Sequence, residues 1–367
     1  MGVPAFASYS NKLMRILHTA DWHLGRTLGN HSLLEDQAYV LRQFIELAVE
    51  TRPDVIVIAG DLYDRSVPPA DAVTLLDDTL HELTSRCGAP VIAISGNHDS
   101  QQRLDFGARL LRHRGLHLFG SLESAGVVTV GDTAFVAVPF AEPAAVRSAY
   151  PGYTGQDHHS ALAFLLKGLR PATGRAVAIA HAFVAGGAES ASERALSVGT
   201  AGLVGVEVFA GYAYAALGHL HRPQTLGNAR YAGSLLKYSV SEAEQRKSVT
   251  LVDLDGGREE FVLRPRRDLR CVEGAFDALL AGPPSEDYLY FTLTDTGLIP
   301  NAAQRLREVY PQFLGLEVRR VKEAGERMTG KAASPREMFA GFWRHVAGEE
   351  ATAAQQAVVG PLFEETP

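Results

Sequence analysis

Short runs of consecutive apolar, often β-branched residues alternate along the first two-thirds of the chain with stretches whose apolar positions recur every three or four residues. Arg15–His18, Val55–Ala59 and Val91–Ser95 read as buried strands. Between the first two, Leu34, Ala38, Leu41, Ile45 and Ala48 make one apolar stripe at helical spacing, and Ser32 with Glu35 reads as a capping box at its start. Arg52-Pro53 ends that helix, because proline disfavours helical backbone in the residue before it. Further helices are predicted over 70–85 and 101–113. After residue 125 the texture changes. Val127–Val130 and Ala134–Val138 flank Gly131-Asp132 as a hairpin, Ala176–Ala180 and Ala213–Leu217 are strands, and Val249–Val262 is a second hairpin turning at Asp255-Gly256-Gly257. The pattern predicts a mixed α/β sandwich with two sheets and helices outside.

Past Arg264 the pattern breaks. Tyr288–Leu293 (strand), Ala302–Val309 (helix) and Gly315–Val321 (strand) suggest a small α+β module over 265–324. Gly325–Ala333 is polar and Gly-rich, hence a linker. Ser334-Pro335 then opens a helix on which Met338, Phe339, Phe342, Trp343 and Val346 lie at helical spacing, and 351–363 can form a second short helix. Residues 1–13 read as a flexible tail, with Met14 a candidate start. The stripe of 338–346 either packs on the core or docks a partner in a groove; the linker upstream favours docking.

Composition narrows the class. At 46% hydrophobic and 21% charged residues the chain is a folded protein, not a disordered one. Its net charge of −7 gives no general positive field, so binding to nucleic acid needs a local patch. Arg103, Arg109, Arg112 and Arg114 are one candidate patch, and Arg264, Arg266, Arg267 and Arg270 another; a solvated face is the plainer reading of each. Cys87 and Cys271 make neither a disulfide framework nor a thiolate metal site, which fits the cytoplasm. No stretch approaches the ~20 apolar residues of a membrane span.

Five clusters carry candidate chemistry: Asp21-Trp22-His23, Gly60-Asp61-Leu62-Tyr63-Asp64, Gly96-Asn97-His98-Asp99, His181, and Gly218-His219-Leu220-His221. Each follows a predicted strand, where α/β sheets bind ligands. Asp, Asn and His without thiolates suit Mn²⁺, Fe²⁺ or Zn²⁺, and seven such residues suit two ions rather than one.

In this order and spacing the clusters resemble the calcineurin-like metallophosphoesterase superfamily over about residues 14–255. The runs HTADWHLGRTL, GDLYDRSVPPADA and ISGNHDS resemble, more narrowly, the SbcD family of nuclease subunits of bacterial SbcCD complexes. The resemblance implies a two-sheet α/β/β/α nuclease domain over 14–264, a capping domain over 265–324 and a helical tail over 334–367 that binds a coiled-coil, SMC-like ATPase subunit. It implies one ion held by Asp21, His23, Asp61 and His221, and a second by Asp61, Asn97, His181 and His219, most simply Mn²⁺. His98 would be the catalytic histidine and Asp99 its orienting partner, with Asp64 in a supporting place behind the ligands. The implied activity is cleavage of DNA, as exonuclease on duplex ends and endonuclease on single strands, in repair and recombination, by a homodimer. A small-molecule phosphodiesterase or phosphatase of the same superfamily and a metal-free scaffold are the competing readings; the capping module and the filled ligand positions argue against them.

Overall fold

The structure is a computed structural model and describes residues 14–193, 202–297, 299–319 and 335–359. Its contacts divide into two compact units. The first holds the described residues up to Cys271 together with Glu286–Tyr290 and Gln312–Leu314, and the second holds the remainder.

Two six-stranded sheets build the first unit. One runs Gly257–Val262, Ser248–Asp253, Arg15–Thr19, Val55–Ala59, Val91–Ile94, Leu116–Phe119, the last four parallel and the first two antiparallel. The other runs Gln224–Leu226, Ala229–Tyr231, Tyr214–Gly218, Arg175–His181, Thr133–Val138, Gly126–Val130, with a parallel centre and an antiparallel strand at each edge. The central strands are apolar at nearly every position because both their faces are covered. Alternation sorts the side chains into layers. Ile16, Val55, Val57, Ile92, Phe135, Val177, Ile179 and Ala216 meet between the sheets. Leu17, Ile56, Ile58 and Ala93 turn outward under the helices Leu34–Thr51 and Ala70–Glu82. Val136, Val138, Ala178 and Leu217 face the helix His158–Leu169 on the opposite side. The fold is therefore an α/β/β/α sandwich, and the carboxyl ends of its parallel strands feed the five clusters.

Local predictions needed correction in three places. The helix Leu34–Thr51 has no side-chain cap; Ser32 lies in a short strand pair with Thr27–Leu28, and Glu35 is held by Arg267 instead. Asp36 and Gln37 take buried places on its face, whereas Ala38 is only half-buried. The helix expected over 101–113 breaks into Gln101–Asp105, Ala108–Leu111 and a 3₁₀ turn at Arg112–Arg114, because Phe106 is extended and Gly107 left-handed.

In the second unit and at its boundaries, Leu269–Gly274, Tyr288–Leu293 and Phe313–Val318 form a three-stranded sheet, with helices Phe276–Leu280 and Ala302–Val309. The first strand and the first helix escaped the sequence reading. Helices also cover Pro335–Ala347 and Ala353–Val359, and Phe342 and Val346 are exposed on the former. The expected linker at 325–333 lies outside the described residues, as do 1–13 and 360–363.

Candidate metal centre

The clusters converge on Asp61, which is buried. Its Oδ2 lies 3.5 Å from Nε2 of His23 and 3.4 Å from Nε2 of His181, so one carboxylate oxygen stands between two groups of imidazoles. Its Oδ1 accepts a hydrogen bond from the amide of His98 at 2.9 Å. On one side of Asp61, Nε2 of His23 and Nε2 of His221 face each other at 3.1 Å. Asp21 adds Oδ2, a buried oxygen with no hydrogen-bond partner, while its Oδ1 is held by the amide of His219 at 2.9 Å. On the other side, Oδ1 of Asn97 lies 3.0 Å from Nε2 of His181 and 3.2 Å from Nδ1 of His219. All seven residues therefore line one site. Asp61 stands among them, and Asp21 also approaches the second group, its Oδ1 lying 3.9 Å from Nδ1 of His181.

Such crowding of donor atoms requires unusual backbone. Asp21, His23, Asp61 and His219 all have positive φ, between 45° and 107°. Non-glycine residues adopt that region at a cost, and functional sites are where such strain collects. Two glycines permit the close approach. A Cβ on Gly96 would lie 2.1 Å from Oδ1 of Asp61, and one on Gly60 would lie 2.4 Å from Nδ1 of His181.

The protonation states follow from burial and neighbours. Burial opposes ionisation of Asp61, but the surrounding imidazoles of His181 and His23 outweigh it and hold the carboxyl well below its usual range. Burial pushes Asp21 up. It pushes His23, His219 and His221 down, leaving neutral imidazoles, the form that ligates metal. His181 moves the other way, to about 9, because Asp61 and Asp21 outweigh its burial. Three neutral imidazoles, a shared carboxylate, an amide oxygen and an unpartnered carboxylate oxygen form a donor set that fits a pair of divalent cations.

Comparison with known proteins shows the family. The calcineurin-like phosphoesterase family matches residues 14–223, and the type 5 capsule protein repressor C-terminal domain matches residues 265–347. The SbcD subunit of the SbcCD nuclease of Staphylococcus epidermidis is 35% identical over 317 residues, covering 83% of this chain and 85% of that one. Its namesake from Staphylococcus saprophyticus is 37% identical over 316 residues, covering 83% and 84%. The chain belongs to the SbcD family.

One assignment implied by the likeness to the SbcD family does not hold in the structure. Asp99 does not orient His98: among the described hydrogen bonds its carboxylate reaches only main-chain amides. Oδ2 accepts from Leu62 and Gly96 at 3.1 and 2.9 Å, and Oδ1 from Tyr63 at 2.9 Å. By accepting from amides of both loops, it ties the loop carrying Asp61 to the loop carrying Asn97. The imidazole of His98 is fixed by Asp64, whose carbonyl oxygen accepts from Nδ1 at 2.8 Å. The Asp64 carboxylate meets Arg26 at 3.1 Å and lies 3.7 Å from Nδ1 of His23.

The arginines also sort differently in this SbcD-family chain. Arg103 and Arg114 line a depression with Val73, Leu76 and Phe106, whereas Arg109 and Arg112 line another beside Gly126–Thr129. Neither pair borders the metal centre. Arg267 and Arg266 pair with Glu35, Arg267 also with Asp36, and Arg270 with Asp287. The mouth of the site, a depression of about 470 Å³, is lined by Arg26, Thr27, Asp64, Arg65, Ser66, Asn97, His98 and Asp99. Arg26 and Arg65 escaped the sequence reading, although each directly follows a ligand-bearing motif, as DWHLGR and GDLYDR. His158 and His159, adjacent in sequence, pair with Glu142 and Glu207 away from the site.

Proposed function

We propose that this chain is a metal-dependent DNA nuclease, the nuclease subunit of a complex with a coiled-coil ATPase. The observation that carries this reading is the convergence of seven ligand-type side chains around Asp61 with His98 at the mouth of the site. The bound pair is proposed to be Mn²⁺: Asp21, His23, Asp61 and His221 would hold one ion, and Asp61, Asn97, His181 and His219 the other. Two such ions, when bound, clamp phosphate oxygens and lower the pKa of water, which supplies a nucleophile at neutral pH.

The chain's own groups do the rest. Because the Asp64 carbonyl accepts from Nδ1 of His98, Nε2 is the nitrogen left for substrate. His98 is placed to hold charge on the phosphate and to give a proton to the departing 3′ oxygen, a role worth about 10²–10⁴ in rate. Arg26 is held by Asp64 and by the carbonyl of Ser192, and its guanidinium lies 5.0 Å over the ring of Tyr238; it supports the mouth. Arg65 is exposed at the same mouth and can reach a neighbouring phosphate of the strand.

The partners rest on separate surfaces. Phe106 and Leu110, 88% and 79% exposed, lie on the broken helical segment and support a homodimer formed through that face. Phe342 and Val346 on the helix Pro335–Ala347 support docking of that helix on the ATPase, with Phe339, Trp343 and Met338 on the same element. No described helix is long and apolar enough to cross a membrane; placement in the cytoplasm belongs to the same proposal, as the compartment that holds the DNA substrate.

The test is cleavage of duplex and single-stranded oligonucleotides, against cyclic nucleotides, by the purified full chain with Mn²⁺. Oligonucleotides are expected to be cleaved in preference. His98→Ala is expected to lower the rate by about 10²–10⁴ while retaining both ions; undiminished cleavage would remove His98 from the mechanism.

A further inference from the structure

His221 is supported differently from the other imidazoles of the site. Nδ1 of His181 rests on a main-chain oxygen, that of Ala59 at 3.0 Å. Nδ1 of His23 has no hydrogen-bond partner. Nδ1 of His221 instead lies 2.7 Å from Oγ of Ser192, whose hydroxyl donates to Oε1 of Glu242, itself 3.3 Å from the same ring nitrogen. Glu242 is fully buried, and its Oε2 meets Nζ of Lys247 at 2.6 Å and the amide of Tyr238 at 3.1 Å. Lys247 is buried too and donates to the carbonyl oxygen of His221 at 2.9 Å. Glu193 accepts from the amide of His221 at 2.8 Å. The main chain and the side chain of one residue are thus gripped from two segments, Ser192–Glu193 before it in sequence and Glu242–Lys247 after it.

Burying a carboxylate–ammonium pair is expensive, and well-packed apolar residues usually stabilise a fold as well or better. This pair is therefore weak evidence for stability, whereas its oxygens and protons are aimed at one imidazole. Ser192 is itself fixed: its carbonyl accepts from Arg26 at 3.2 Å, and the preceding amide, of Ala191, donates to Oγ of Ser241 at 3.0 Å.

We propose that Glu242, held by Lys247 and acting through the hydroxyl of Ser192, is a positioning residue for His221 that fixes the Nδ1–H tautomer and presents Nε2 to the ion on the Asp21–His23 side. Carboxylates behind metal-bound histidines act in this way generally, and their loss typically costs about 10- to 100-fold in metal affinity. Glu242 also approaches Nδ1 directly, at 3.3 Å, so part of its hold survives loss of the Ser192 hydroxyl. The proposal rests on the two-ion reading of the site.

The experiment titrates the full-length apo-protein with Mn²⁺, following free Mn²⁺ and the spin-coupled signal of an ion pair by electron paramagnetic resonance, and records unfolding of each metal-free protein. Wild type is expected to bind two ions with a coupled signal; if it binds no pair, the proposed function fails together with this inference. Glu242→Gln is expected to weaken one ion by about 10- to 100-fold, leave the other within a few fold and replace the coupled signal by that of a single ion. Ser192→Ala is expected to shift the same ion by less. The pair Glu242→Gln/Lys247→Met removes both buried charges at similar volume, guards against misfolding from an unpaired lysine and is expected to match Glu242→Gln. If wild type binds two ions and these variants bind both as tightly, the inference is wrong while the nuclease reading stands. Equal weakening of both ions, in step with a fall in metal-free stability, would equally overturn it, because Glu242 would then be only a structural residue.

Discussion

Replacing Asp99 by Asn separates two roles that the sequence alone merges. The carboxylate accepts three main-chain amides, two on Oδ2 and one on Oδ1. An amide side chain keeps one oxygen. Its best placement saves the bonds to Leu62 and Gly96 and turns an NH₂ group toward the N–H of Tyr63, donor against donor. Hydrogen bonds to a charged acceptor contribute about 1.5–3 kcal/mol each, and a buried donor left unpaired costs a similar amount, so the loss is about 2–4 kcal/mol. Part of that loss falls on the fold and part on the ion pair, since the tied loops carry Asp61 and Asn97. The assay belongs at pH 8, above the value of about 7 to which burial, with Asp61 adding, pushes the Asp99 carboxyl. Denaturant unfolding is expected to show the lower stability. The Mn²⁺ concentration needed for half-maximal cleavage is expected to rise by about tenfold or more, since 1.4 kcal/mol is a factor of ten. At saturating Mn²⁺, kcat is expected to recover to within a few fold of wild type. Wild-type stability and Mn²⁺ requirement, with a hundredfold lower kcat that no Mn²⁺ concentration restores, would refute the reasoning and return Asp99 to a direct action on His98.

Gly96→Ala is expected to abolish ion binding, because the new methyl would lie 2.1 Å from Oδ1 of Asp61; Gly168→Ala, whose Cβ meets nothing within 4 Å, is the control in the same Mn²⁺ titration. His18, buried between the sheets against the hydroxyl of Tyr214, is pushed by burial and then by Arg230 down to about 3 from a usual 6.5. Below pH 6.5 the unfolded chain therefore takes up a proton that the folded chain refuses, and stability falls by about 1.4 kcal/mol per pH unit, roughly 2 kcal/mol by pH 5. Denaturant unfolding at the two pH values should show a shallower fall in His18→Asn, and equal slopes would exclude His18 as the cause.

The sandwich was legible because the central strands are apolar nearly throughout and the helices that cover them carry apolar stripes, signals that depend on neighbours in sequence. The candidate ligands stand out for the same reason: each sits within a few residues of a strand end. What the sequence hid depends on distant partners. Ser32 and Glu35 look like a capping box until Ser32 pairs with Thr27 in a short strand and Glu35 meets Arg267. Asp99 looks like a partner for the adjacent His98 until the amides of Leu62 and Tyr63 are brought against it. Glu242 carries no motif at all, and its place behind His221 exists only after the chain returns from the second sheet. Leu269–Gly274 was missed because only Leu269 of its six residues is buried, so the strand shows no apolar run.

Four of the candidate ligands hold their backbone in the left-handed region. Exchanging any of them for glycine would release about 1 kcal/mol of conformational cost at that position while deleting a donor atom. Heat resistance and turnover thus pull in opposite directions at these positions. A variant library sorted by survival on heating without added metal would enrich inert proteins, so any attempt to harden this scaffold has to leave Asp21, His23, Asp61 and His219 untouched.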